Sequence, residues 1–125
     1  VVPVSLGELV DKISILRIKS ERITNEAKLK DVRREHHELV VVLNGCGVVV
    51  PQSLYDELYF INSELWEIED NIRVKEKQKE FDDEFIKLAR SVYVTNDKRF
   101  DVKSKINELD AGGLREQKSY EDYNV

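Results

Sequence analysis

The chain of 125 residues has one cysteine, Cys46 in "NGCGVVV", which excludes an internal disulfide framework and any metal site built from paired cysteines. Long apolar runs are also missing. None approaches the roughly 20 residues that a membrane-spanning helix needs, so no membrane partner is expected. The opening "VVPVSLGELV" lacks the basic flank, extended apolar stretch and cleavage pattern of a secretion signal. With the unpaired thiol, these absences lead to the expectation of a cytoplasmic protein. Positive charge is in deficit: 20 Lys and Arg stand against 25 Asp and Glu, a net charge of −5. That disfavours a broad nucleic-acid surface but leaves room for a local basic patch that binds phosphate. No Ser-His-Asp set, zinc signature, phosphate-binding glycine loop, internal repeat or low-complexity arm is visible.

What is present is apolar periodicity on a highly charged background, 41% hydrophobic and 36% charged residues, a combination suited to long helices with one apolar stripe and a solvated back. Ser5, Glu8, Val4 and Leu9 have the spacing of a capping box and a hydrophobic staple, so a first helix is predicted from Leu6. Its apolar face, Leu6, Leu9, Val10, Ile13 and Leu16 with Ile15 and Ile18 beside it, is wide enough for contact with two helices or a second subunit. Thr24 and Asn25 can interrupt it by local side-chain hydrogen bonding. Leu29, Val32, His36, Leu39 and Leu43 mark a second helix, with Gly45 and Gly47 as its stop. The "VVVP" that follows reads as an extended crossing without a partner strand.

The third passage carries the clearest seam, Leu54, Leu58, Ile61, Leu65, Ile68 and Ile72, at spacings of four, three, four, three and four. Pro51 at the first helical position or Ser53 as N-cap would start it. Asp82 or Asp83 can cap a fourth passage along Phe85, Leu88, Val92, Thr95, Arg99, Val102, Ile106 and Leu109. Within it, "TNDKR" is either a polar layer in one long helix or a break between two shorter ones. The expected fold is all-α, an antiparallel bundle of four main passages forming a single domain over 1–125. Residues 110–125 would be a tail packing on the bundle or on a partner chain. Edge tyrosines and wide faces suggest a homodimer.

Two constellations carry candidate chemistry. Glu64, Glu67 and Asp70 recur every three residues in "ELWEIEDNIR", and with Asp83 they could hold magnesium through oxygen if another helix supplied ligands. This would suit a magnesium-dependent small-molecule phosphohydrolase and has a superficial likeness to all-helical nucleoside triphosphate pyrophosphatases, without their doubled-glutamate opening. Otherwise the acidic residues form the solvated side of a helix. Arg17, Arg90, Lys98, Arg99 and Lys103, drawn from two helices, could instead line a pocket for a phosphorylated or anionic small molecule. Arg99 is the sharpest of them because its register points it into the seam, where burial demands a partner such as Glu64 or Asp70. Asn62 is a possible member of that layer. His36 and His37 diverge around their helix, His36 toward a buried hydrogen bond and His37 toward solvent, so no metal site is expected there.

The stretches "GELVDKISILRIKSERI" (7–23), "LWEIEDNIR" (65–73), "FIKLARSVYVTNDKRFDVKSKINEL" (85–109) and "EQKSY" (116–120) together resemble an uncharacterised family of small helical bacterial and phage domains, catalogued as a domain of unknown function. The resemblance covers nearly the whole chain. It implies a domain found alone or beside repeat and glycosyltransferase domains, and hence a role around carbohydrate processing. With no complete catalytic set in view, the favoured expectation is a helical oligomerisation or protein-interaction module without catalysis or cofactor of its own.

Overall fold

A computed structural model describes residues 2–123, so Val1, Asn124 and Val125 of the expected 1–125 domain lie outside the described residues. The fold is an all-α bundle of four helices, α1 (Leu6–Arg22), α2 (Glu26–Gly45), α3 (Gln52–Gln78) and α4 (Asp83–Asn107), with no strand among the described residues. None of these helices is long and apolar enough to cross a membrane.

Helix boundaries follow from local chemistry. The Ser5 side chain accepts from the Glu8 amide at 3.2 Å and caps α1, satisfying one of the amides a helix N-terminus leaves open. The reciprocal half of the capping box is absent, because the Glu8 carboxylate turns to Lys103 at 2.6 Å. Val4 stays exposed. The interruption at Thr24 and Asn25 is real: Asn25 accepts from the Lys28 amide and caps α2. Neither expected start of α3 is realised. Pro51 occupies the N-cap position, at φ −56° and ψ 136°, and no side chain caps that end. Asp82 caps α4 through the Phe85 amide at 3.0 Å. The turn before it contains neither glycine nor proline, and Lys79 itself adopts the left-handed conformation, φ 55°, that ends α3. The Glu80 amide then reaches back to the Lys75 carbonyl, the closure typical of a Schellman end. Lys75 fastens this hairpin from the other side, its Nζ lying 2.9 Å from Asp82 and 3.2 Å from both Glu80 and Glu84.

Helix α1 is the hub. It touches all three other helices, α3 and α4 pack on each other as well, and α2 touches α1 alone. The core joins Leu6 and Val10 of α1 to Leu58, Ile61 and Leu65 of α3 and Val102 and Ile106 of α4. Leu43 and the extended Val48 and Val50 close one end of it. The predicted α3 seam faces inward as expected, with Leu58, Ile61, Leu65 and Ile68 buried. In α2 only Leu29 is buried, so most of its predicted stripe is covered partly at best. His36 is half-buried, and His37 is exposed.

Burial of α1 on several sides requires close approach, and Gly7 supplies it. A Cβ there would lie 2.5 Å from the Lys103 carbonyl oxygen. The Gly7 amide instead donates to Asn107 Oδ1 at 2.6 Å, so α4 satisfies an open amide of α1. Beyond α4 the tail runs back along the same helix. Arg115 donates to the Asn107 carbonyl, Glu116 pairs with Lys103 at 3.1 Å, and Tyr120 and Tyr123 both donate to Asp97.

Candidate functional site: a buried polar layer beside an open cleft

The "TNDKR" stretch lies within one unbroken α4, and Arg99 serves a polar layer. Its partner is Asp11 of α1, a residue that apolar periodicity passed over, and neither Glu64 nor Asp70. Arg99 Nε donates to Asp11 Oδ1 at 2.9 Å while Nη2 engages Oδ2, a two-pronged contact. Asp11 is only 1% exposed. Asn62 of α3 completes the layer as anticipated, its Nδ2 donating to Asp11 Oδ1 at 2.9 Å and to Ser14 Oγ at 2.8 Å. Ser14 in turn donates to the Asp11 carbonyl. Three helices thus meet on one carboxylate. Among the described residues no buried side-chain polar atom lacks a partner. The Asp11 hydrogen bond holds the Arg99 guanidinium above its ordinary pKa against the opposing effect of burial.

One turn further along α4, Lys103 is also buried. Burial alone would lower its pKa, but the hydrogen bonds it donates to Glu8 and Glu116 outweigh this and raise it. A signal for the layer did exist in the sequence: Gly7, Asp11, Ser14 and Ile18 follow one another at spacings of four, three and four. They form a second inward stripe on α1, hidden because Gly7, Asp11 and Ser14 are small or polar.

Beside the layer, a cleft of about 370 Å³ opens between α1, α3 and α4. Ile15, Ile18 and Leu65 contribute apolar wall, Trp66 contributes its indole, and Asn62, Asn96, Asp70, Glu69, Arg73 and Arg99 contribute polar groups. Its size lies at the lower end of the usual range for small-molecule pockets. Both guanidinium groups are engaged, Arg99 by Asp11 and Arg73 by Glu69 at 3.2 Å. Arg22 stands 5.8 Å from the Trp66 ring and pairs with Glu67.

The candidate basic residues do not form one pocket. Arg99 and Lys103 share a small cavity of about 290 Å³ near Glu116. Arg17 lies over the Tyr59 ring at 4.0 Å and pairs with Glu21. Arg90 is exposed beside the Tyr93 hydroxyl, and Lys98 is exposed on another side of α4. The acidic candidates are likewise dispersed in role. Glu64 is exposed, Glu67 pairs with Arg22, Asp70 borders the cleft, and Asp83 sits in the first turn of α4. Among the described residues no three His, Cys, Asp or Glu side chains gather as a metal-binding group.

A family model described as a family of unknown function (DUF6165) matches residues 1–124, and the chain belongs to that family. Neither the curated proteins nor the solved structures give a match.

Proposed function

We propose that this domain is a helical interaction module without chemistry of its own, pairing with a second copy through the C-terminal end of α2 and the crossing after it. The observation that carries this reading is the exposure of Val41, Val42 and Val49 at 56%, 55% and 88%. Val41 and Val42 lie on the helix that only α1 supports, and Val49 lies on the crossing after it. A two-fold axis through such a patch sets it against itself, so valine covers valine and both copies lose apolar surface to water. A reducing, cytoplasmic setting fits the exposed lone thiol of Cys46 at the edge of the same region. Light scattering from micromolar to hundreds of micromolar chain should show a monomer–dimer transition that Val41→Lys with Val42→Lys moves to higher concentration while helix content is kept. A folded wild-type chain that stays monomeric throughout would overturn the proposal.

The cleft favours a second reading, a binding module for a phosphorylated or anionic small molecule, linked to carbohydrate processing through the domain context that the family resemblance implies. Its support is the presence of Arg73 and Arg99 on one cavity with Trp66. Titration with inorganic phosphate and sugar phosphates should shift Trp66 signals and weaken in exposed Arg73→Ala. Absence of any saturable change would remove this reading. We do not extend the proposal to magnesium-dependent hydrolysis, because no three of Glu64, Glu67, Asp70 and Asp83 gather around a common point.

A further inference from the structure

Where the tail returns along α4, three of the five tyrosines meet. Tyr93 of α4 and Tyr120 and Tyr123 of the tail border one groove of about 530 Å³. The Tyr93 and Tyr123 rings stand edge to face, centroids 4.9 Å apart and planes inclined at 64°, so they form two walls of a corner. The phenols of Tyr120 and Tyr123 donate to the two oxygens of Asp97 at 2.7 Å and 2.5 Å. With those hydroxyls engaged, the rings are left to offer π surface and edges.

The charge of the surroundings is net negative. This groove and its neighbour, which shares Tyr120 and Tyr123, are bordered by Asp97, Glu121, Asp101 and Asp122, against Lys98 and Lys118, with Arg90 donating to the Tyr93 hydroxyl at 3.4 Å. Lys118 already lies over Phe100, 5.4 Å from the ring centre. An anion would meet net repulsion here. A small, strongly hydrated metal ion would need a gathering of carboxylates that the described residues do not form. A large, weakly hydrated cation needs neither, since ring faces attract it through their quadrupole and nearby carboxylates add a longer-range pull.

We propose that the corner between Tyr93 and Tyr123, with Asp97 and Glu121 beside it, is a binding site for a small organic cation of the quaternary ammonium type. This site is separate from the α2 surface and from the cleft of the preceding subsection. Because the tail supplies two of the three rings, occupancy also fastens the tail to α4. A free alkylammonium compound and a methylated lysine side chain present the same headgroup, and the chemistry of the corner is shared by both.

The test is an NMR titration of the full chain with tetramethylammonium chloride at constant ionic strength, following the tyrosine rings. Saturable shifts are expected at Tyr93, Tyr120 and Tyr123 and not at Tyr55 or Tyr59. Tyr93→Leu, and separately Tyr123→Leu, should each weaken binding at least about five-fold, consistent with the strength of one ring–cation contact. Circular dichroism verifies that each variant is folded. The wild-type chain provides a control that needs no variant: the uncharged isostere, with carbon in place of nitrogen, should bind at least about five-fold more weakly. Tail amides should exchange more slowly with the cation present. Choline and a peptide bearing one trimethylated lysine form two further arms, and tighter binding of either assigns the source of the headgroup. The proposal is overturned if tetramethylammonium gives no saturable shift, if the isostere binds as well as the cation, or if binding survives loss of both Tyr93 and Tyr123.

Discussion

Two ion pairs in this bundle have the same chemistry and opposite consequences. Arg99 and Asp11 join α4 to α1 where Asp11 has lost nearly all contact with water. Arg34 and Glu38 stand one turn apart on the open face of α2, at 82% and 63% side-chain exposure. Water solvates the second pair whether or not its members touch, so little depends on the contact. In the first, Asp11 has lost its hydration and depends on Asn62 and on Arg99, whose side chain is only partly exposed. The difference extends to the helices themselves. The α1–α3–α4 assembly is defined by a core and a fully satisfied polar layer, whereas α2 and the tail are attached from one side.

The comparison is broken most severely by Arg99→Ala, which leaves the Asp11 carboxylate buried without its cation and should cost about 3–5 kcal/mol in chemical denaturation. A simultaneous Asp11→Leu and Arg99→Met replacement should recover much of that loss; if the double variant is no better than Arg99→Ala, an uncompensated charge is not the cause. Gly7→Ala tests the close approach of α1 and α4 without touching a charge. Its new methyl meets the Lys103 carbonyl, and a loss of roughly 1–3 kcal/mol is expected from the forced separation. At the α3–α4 hairpin the sign reverses: Lys79→Gly relieves a left-handed backbone at a non-glycine residue and should raise stability by up to about 1 kcal/mol.

The tail offers a pH test on the peripheral side. Hydrogen bonds from Tyr123 and Tyr120 hold Asp97 below its ordinary value of 3.8, and the bond to Asp97 raises Tyr123 from 10.0 to about 12. A depressed carboxylate contributes stability that is present above its unfolded value and is lost as pH falls through the lowered one. A raised phenol contributes stability that is complete below 10.0 and is lost as pH rises through about 12. The Tyr120 and Tyr123 ring signals in NMR should therefore be level across the neutral range and report release of the tail at both extremes, ahead of any loss of helix content. The smallest effect belongs to Arg34→Ala, expected within about 0.5 kcal/mol of wild type by thermal melting. A larger loss would remove the contrast between the two pairs.

The legible parts of the fold were those that depend on neighbours in sequence. Ser5 and Asn25 cap helices because their side chains reach amides three residues on, and the α3 seam faces inward because its spacing fixes one side of a helix. The start of α3 was misread because a proline and a serine offered competing local signals, and neither side chain caps the helix there. Asp11 was missed for a different reason. A carboxylate on a charged helix ordinarily faces water, and its burial requires an arginine 88 residues away. The basic candidates failed to converge because one sequence cannot place Arg17 and Arg90 around the bundle, and the tyrosine corner was hidden in a tail whose return path has no periodicity.

By itself, the sequence determined an all-α fold of four main passages, where some of them begin, and that one side of α3 is dry, while leaving open whether residues 24–25 and 95–97 break helices. These are consequences of hydrogen-bond reach and of 3.6 residues per helical turn. Tertiary structure alone decided that α1 is the hub, that Asp11 is Arg99's partner, and that the tail brings Tyr120 and Tyr123 to Asp97. Each of these depends on which groups meet across long stretches of chain, where a charge keeps its hydration or exchanges it for a partner.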